Sequence, residues 1–203
     1  MNPHFLFNTI NTGVQLAILE EADKTAEFME NLADLFRFNI KEKKYFVPLR
    51  HEVEGLKVYY NILKIRFPKT LRLNLDVRED YLDRFSCPNM MLQPLVENSV
   101  LHAFKNGDGI GTVNVRIDYQ DPILIISVSD DGIGMPEELV KELLTPHTRD
   151  NQFGQKVMGL ENIIQRCYFF YPNQKDVIEI KSAPGEGTEI IIRLHTEVEP
   201  CIE

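Results

Sequence analysis

The sequence predicts an α+β protein, with an N-terminal helical hairpin followed by a layered α/β sandwich built on a mixed sheet. Three observations lead there. Apolar residues recur at three- and four-residue spacing through the N-terminal region, they alternate strictly in two later segments, and helical stretches cluster between groups of strands. With 203 residues, 43% hydrophobic and 26% charged, the chain has room for a sizeable core and for one good domain plus an appendage.

Residues 2–19 read as a helix. Asn2 is a capping residue, Pro3 suits the first helical position, and Phe7, Ile10, Val14 and Ile18 form an apolar stripe. After a polar break at 20–24, a second helix is expected over 25–43, with Met29, Leu32, Phe36 and Ile40 on one face. So short a connection makes the pair an antiparallel hairpin. A two-helix unit cannot hide both stripes, so pairing with a second copy into a dimeric four-helix bundle is expected. The expected division is therefore 1–44 and 45–203.

A third helix is expected from Pro48 to about Phe67. Strands follow at 71–77, 113–119, 123–129, 177–181 and 189–194; the first two alternate, so each has one buried face. Pro88 is expected to open a helix running through His102, and 159–170 reads as another. Residues 135–158, with Pro136, Pro146 and Gly154, look like a long loop with a short helical segment, the kind that often serves as a lid.

Charge and cysteine content exclude several classes. A net charge of −9 argues against a nucleic-acid partner. It also requires any polyphosphate to be held by local devices, namely backbone amides, helix N-termini and a divalent cation. Cys87, Cys167 and Cys201 are odd in number and far apart, which suggests neither a disulfide framework nor a zinc site, and fits a reducing cytosolic environment. No apolar run reaches the roughly 18 residues of a membrane span, and no signal peptide is visible. Dense motif sequence directly after Met1 suggests a piece of a longer protein.

Four segments carry candidate chemistry. Asp130-Asp131-Gly132-Ile133-Gly134 follows the apolar run 123–128. A carboxylate there can accept a hydrogen bond from a base's amino group, and the glycines let backbone approach a ligand, although Asp-Gly after a strand is also an ordinary turn. In the helix expected over 88–102, Leu92, Leu95, Val96 and Ser99 form the inward face, while Asn98 and His102 share another. An amide oxygen suits Mg²⁺, which takes oxygen ligands and substrate phosphates; a plain surface helix is the other reading. Gly185-Glu186-Gly187-Thr188 taken singly is a tight turn, but it also offers a hydroxyl able to share a water with a carboxylate. Gly159-Leu160 opens a helix N-terminus suited to anion contact.

In this order and spacing the four segments resemble the N, G1, G2 and G3 boxes of the GHKL ATPase superfamily, whose catalytic domain is the Bergerat α/β sandwich. The resemblance implies ATP and Mg²⁺ as cofactors. It implies that Asp130 contacts the adenine amino group beside Gly132 and Gly134, and that Thr188, next to Gly187, supports it through water. It further implies that Asn98 ligates Mg²⁺, that His102, Gly159 and Leu160 lie toward the phosphates, and that 135–158 is the ATP lid. Val157-Met158-Gly159-Leu160 keeps only the second glycine of the usual G2 pair.

The N-terminal run Asn2-Pro3-His4-Phe5-Leu6-Phe7-Asn8-Thr9-Ile10-Asn11 resembles the phosphoacceptor motif of LytS/YesM-type sensor histidine kinases. Phe46-x-Pro48-Leu49-x-x-Glu52, Tyr60-x-x-x-x-Ile65-Arg66-Phe67, Leu92-Gln93-Pro94-Leu95-Val96-Glu97-Asn98 and Gly159-Leu160-x-Asn162-x-x-x-Arg166 match that family too. The resemblance covers essentially the whole chain. It implies a homodimer whose His4 takes the γ-phosphoryl group, since a neutral imidazole is a competent nucleophile near neutral pH. The group would then pass to an aspartate of a response-regulator receiver domain. It also implies the cytoplasmic portion of a bacterial membrane-anchored sensor, reaching the membrane only through segments absent from this chain. Asn8, one turn after His4, is placed to orient a water or the phosphoryl group, and Glu97 to order the Mg²⁺ shell or take a proton.

Two departures shape the expected chemistry. Pro94 stands where hydrolytic relatives carry the Glu that activates water, which favours transfer to His4. Phe5 stands where many other histidine kinases have an acidic residue, so a base for His4 must come from elsewhere or be dispensable. His51 and His195 read as surface residues, and His147 lies in the expected lid. An ATP-sensing regulatory or phosphatase module with little kinase activity is the alternative; an ATP-hydrolysing machine is the third reading, and Pro94 speaks against it.

Overall fold

The computed structural model describes residues 3–41, 44–103, 111–145 and 158–197. Helices α1 (Pro3–Leu19) and α2 (Asp23–Lys41) form the expected hairpin. It is antiparallel, since Gly13 lies against Met29 and the Arg37 guanidinium sits over the Phe7 ring. Small residues close the seam: Ala17, Ala26 and Ala33 are buried beside Ile10 and Leu35. The expected α1 stripe holds for Ile10 but not for Ile18, which is exposed with Phe5, Leu16 and Leu19. Ala17 fills the seam at that level, and Ile18, roughly 100° further round the helix, points away from it. At helical spacing Phe5, Leu16 and Leu19 share one outward face of α1.

The rest of the chain contains β1 (Phe46–Pro48), α3 (Leu49–Arg66), β2 (Leu71–Val77), α4 (Glu79–Leu82), β3 (Ser86–Pro88) and α5 (Leu92–Asn98). A π turn (Ser99–Ala103), β4 (Gly111–Gln120), β5 (Ile123–Asp130), α6 (Glu137–Leu144), α7 (Met158–Phe170), β6 (Ile178–Ser182) and β7 (Thr188–His195) follow. Five of these strands make one sheet in the order β2-β4-β5-β7-β6, with β2 and β4 parallel and the other pairs antiparallel. This is the mixed sheet expected from helices clustered between groups of strands. Val113, Val115 and Ile117 of β4 and Leu124, Ile126 and Val128 of β5 turn inward beneath Leu56, Leu92, Leu95, Val96, Ile163 and Ile164 of α3, α5 and α7. Its other face carries cross-strand polar pairs such as Asn74–Asn114 at 2.8 Å and Arg193–Glu179 at 2.6 Å. The motif residue Tyr60 ties α3 to this sheet by accepting the Leu73 N–H at 3.3 Å.

Two expectations need correction. Pro88 does not open a helix. It ends β3, which pairs antiparallel with β1 (Phe46↔Pro88, Pro48↔Ser86), and the Asn89 N–H continues that pairing by donating to the Tyr45 carbonyl at 2.8 Å. Met90 then adopts a left-handed backbone (φ 59°), so the helix cannot begin before Leu92. Strands as short as β1 and β3 carry too few residues to show alternation. His51, expected at the surface, is half-buried and stacks on Phe38 of α2 with ring centroids 4.1 Å apart. That contact seats the hairpin on α3.

Candidate nucleotide site

The sheet places Asp130 at the end of its central strand β5, between Val113 of β4 and Thr188 of β7. Its carboxylate accepts the Gly132 N–H at 3.0 Å and is also bonded by the Ser99 hydroxyl and the Thr188 backbone N–H. Burial nevertheless raises its pKa above the usual carboxylate value, because desolvation outweighs those three donors. A half-buried acceptor at a strand end suits an amino group that arrives with a flat, apolar base. Asp131 does something else: its Oδ1 accepts the Thr112 N–H at 2.7 Å and extends the β4–β5 ladder.

The glycines of the two turns face each other. Gly134 and Gly187 both have positive φ (64° and 76°). A Cβ on Gly134 would stand 1.9 Å from the Ala183 carbonyl oxygen, and one on Gly187 would stand 2.0 Å from the Asp130 carbonyl oxygen. The Gly185 N–H donates to the Ile133 carbonyl at 2.7 Å, so the turns after β5 and before β7 are locked together. The close approach at Gly134 and Gly187 is thus between two segments of the protein itself. Ser182, which sequence reasoning missed, is the pin. Its Oγ accepts the Met135 N–H at 2.8 Å, donates to the Gly187 carbonyl at 2.8 Å and lies 2.9 Å from Thr188 Oγ1. With the serine proton on Gly187, the threonine proton goes to Ser182 and the Thr188 oxygen remains an acceptor. A serine before Ala-Pro-Gly looks like any turn serine, so no sequence signal marked it.

The second end of the site lies between α5 and α7. Asn98 Nδ2 donates to the Pro94 carbonyl at 2.8 Å, and the amide lies edge-on to the start of α7: a Cβ on Gly159 would lie 3.1 Å from Oδ1 and 3.2 Å from Nδ2. The N and G2 segments, far apart in sequence, therefore meet. Among the described residues no group of three or more His, Cys, Asp or Glu could hold a metal ion. One neutral amide oxygen fits a Mg²⁺ that arrives on a nucleotide's phosphates, since Mg²⁺ keeps waters and substrate oxygens in its shell. Glu97 is exposed and acts on Tyr59 of α3, whose hydroxyl is pushed up to about 12 by burial first and then by that carboxylate. Leu160 is buried in the core, so only its backbone can serve a ligand. His195 is half-buried at the end of β7.

Several expected residues are not brought to this site. The backbone of His4 lies in the first turn of α1 and Asn8 is exposed one turn later; among the described residues α1 packs on α2 and makes no comparable contact with α5, α7 or β5. The His4 side chain lies outside the described residues, as does that of His102, whose backbone is in the π turn. Of the expected lid, α6 is described; His147 and Val157 lie outside the described residues.

The motif residues Glu52 and Arg166 meet across the start of α5. Glu52 is buried and accepts the N–H groups of Met90, Met91 and Leu92 at 2.6, 2.8 and 2.9 Å. Arg166 of α7 donates to the Met90 carbonyl at 3.0 Å and to the Asn89 carbonyl.

Two protein families match this chain: Histidine kinase over residues 1–71, and Histidine kinase-, DNA gyrase B-, and HSP90-like ATPase over residues 88–198. The chain is 31% identical to Sensor protein LytS of Bacillus subtilis (strain 168) over 94% of its own length and 31% of that protein's. The chain belongs to the LytS/YesM-type histidine kinases. This histidine kinase core spans about a third of the length of the LytS sensor protein it matches. It is also 33% identical to a putative uncharacterized protein, YwpD, of the same organism, over 96% of the chain and 67% of that protein. Its fold resembles the histidine kinase domain from the Erythrobacter litoralis EL346 blue-light activated histidine kinase, with a TM-score of 0.54 at 17% identity, covering 95% of this chain and 96% of that one.

Proposed function

We propose that this chain is the catalytic core of a two-component sensor kinase that phosphorylates its own His4 from Mg-ATP and passes the phosphoryl group to an aspartate of a response-regulator receiver domain. The observation that carries the reading is the pairing of Asp130, half-buried with a raised pKa at one end, with the Asn98 amide oxygen beside Gly159 at the other. Asp130 accepts a hydrogen bond from the adenine amino group, Thr188 holds a water beside it, and Asn98 with the start of α7 faces the phosphates. Mg²⁺ would there neutralise phosphate charge. An imidazole nitrogen of His4 bonds to the γ-phosphorus as the bond to the bridging oxygen breaks, and ADP leaves with that electron pair. A receiver carboxylate then displaces the histidine in the same way. Phosphoryl transfer depends on positioning and charge stabilisation, which suits a nucleotide domain that is brought to a helical acceptor.

Residues 1–44 serve as the dimerisation and phosphoacceptor hairpin and 45–203 as the ATP-binding domain. The outward face of Phe5, Leu16 and Leu19 supports a homodimer, since a second hairpin would cover it. A cleft of about 680 Å³ bordered by Pro94, Gly159 and Phe169 opens between α5 and α7. Pro94 carries no carboxylate to activate water, which favours transfer over hydrolysis. Asn8 lies one turn from His4 and would orient the phosphoryl group or a water, and Glu97 would act on the outer shell of the cation. The membrane is reached only through segments outside this chain, which is the cytoplasmic part of the sensor.

The test is incubation with γ-labelled ATP and Mg²⁺ beside His4→Gln and Asp130→Asn. Acid-labile label, lost in both variants, is expected. Nucleotide binding without label would favour an ATP-sensing module with little kinase activity. Steady phosphate release that survives His4→Gln would overturn the transfer reading.

A further inference from the structure

The first N–H groups of a helix have no intrahelical partner and need an outside acceptor. At α5 the residue before the helix, Met91, makes no side-chain cap. Glu52 supplies the cap instead from α3, 38 to 40 residues away in sequence, with Oε1 on Met90 and Oε2 on Met91 and Leu92. On the opposite side of the same turn, Arg166 takes the carbonyls of Asn89 and Met90. The turn is held by its donors from α3 and by its acceptors from α7, with Met90 kept in a left-handed conformation that a non-glycine residue seldom adopts unaided.

This clamp has a direct line to Asn98. Helix α5 is only 7 residues long, and Leu92, Leu95 and Val96 are fully buried, so it cannot pivot on its core. Displacing its first turn displaces its last residue, which is Asn98. Arg166 also lies two helical turns after Gly159 on α7, so the same clamp fixes the spacing between Asn98 and the start of α7.

We propose that Glu52 and Arg166 are positioning residues for the Asn98 oxygen, holding it where it ligates nucleotide-bound Mg²⁺ while leaving the adenine end untouched. The proposal rests on the reading of Asn98 as the Mg²⁺ ligand. Side chains that orient metal ligands from behind are worth about 10- to 100-fold in metal affinity when lost.

The experiment is calorimetric titration of ATP into the whole chain, in EDTA and across a Mg²⁺ series, for wild type, Glu52→Gln, Arg166→Lys and Asn98→Ala. In EDTA the clamp variants should bind ATP within about twofold of wild type, while the Mg²⁺ concentration giving half of the affinity gain rises at least tenfold. An unchanged Mg²⁺ midpoint in both clamp variants overturns the proposal. So does an equal loss of affinity in EDTA and in Mg²⁺, which marks a purely structural role. If Glu52→Gln does not fold, Arg166→Lys decides, because it keeps a charged donor on the turn. If wild type and Asn98→Ala respond to Mg²⁺ alike, the Asn98 reading fails and the proposal falls with it, an outcome distinct from a Mg²⁺-sensitive wild type with unchanged clamp variants.

Discussion

The two ends of the candidate nucleotide site, the proposed adenine end and the proposed metal end, are built by different means. At the adenine end the architecture is main chain. Strand register sets Asp130 beside Thr188, and two glycine turns pack carbonyl against Cα with Ser182 pinning them. At the metal end the architecture is side chain. Asn98 is aimed by the Pro94 carbonyl, and its helix is held by one buried carboxylate and one guanidinium drawn from α3 and α7. The difference teaches where each end is vulnerable. Adding a methyl group breaks the first, whereas removing a charge breaks the second.

The largest effect is expected at the metal end. Glu52→Ala strips the acceptor from three N–H groups in a buried turn and should cost about 3–5 kcal/mol in urea unfolding. At the adenine end, Gly187→Ala places a methyl group 2.0 Å from the Asp130 carbonyl oxygen at a φ of 76°, and should cost roughly 2–4 kcal/mol together with ATP binding. Equal tolerance of alanine at both positions would erase the contrast between the two ends.

Asp130→Asn sharpens it. Losing a charge-assisted hydrogen bond to adenine should weaken ATP about 10- to 100-fold by calorimetry, or roughly 1.5–3 kcal/mol. The ligand-free variant should be more stable than wild type at neutral pH. The folded pKa of Asp130 is raised above its ordinary 3.8 by burial, so its contribution is fully present below that value and is lost as pH rises through the folded pKa. The stability gap between variant and wild type should therefore open with rising pH and close toward pH 3.8 in thermal melts. The smallest effect is expected for Ser182→Ala, about 1 kcal/mol, because the Met135 N–H and Thr188 hydroxyl lose one partner each but the glycine turns remain packed.

Legibility followed the range of the interaction. The hairpin helices, α3 and the strands of the main sheet were readable because their periodicity is local and repeats over several residues. The β1–β3 ribbon was not, since two three-residue strands leave no pattern, and Pro88 fits a strand end as well as a helix start. Ile18 was assigned to the stripe by spacing alone, although the helix face that packs on α2 is the one carrying Ile10, Gly13 and Ala17.

By itself the sequence determined the elements and the identity of the chemical groups: a strand ending on Asp130, an Asn98 helix, glycine turns, and His4 followed by Phe5 rather than an acid. Tertiary structure alone decided what those groups face. It packed Gly134 against the Ala183 carbonyl and Gly187 against the Asp130 carbonyl, sent Leu160 into the core, recruited Ser182, and showed that Glu52 and Arg166 grip one turn from opposite sides. The physical reason is that periodicity records burial within one element. A hydrogen bond between α3 and the start of α5 joins residues nearly forty apart, and nothing in the intervening sequence encodes its geometry.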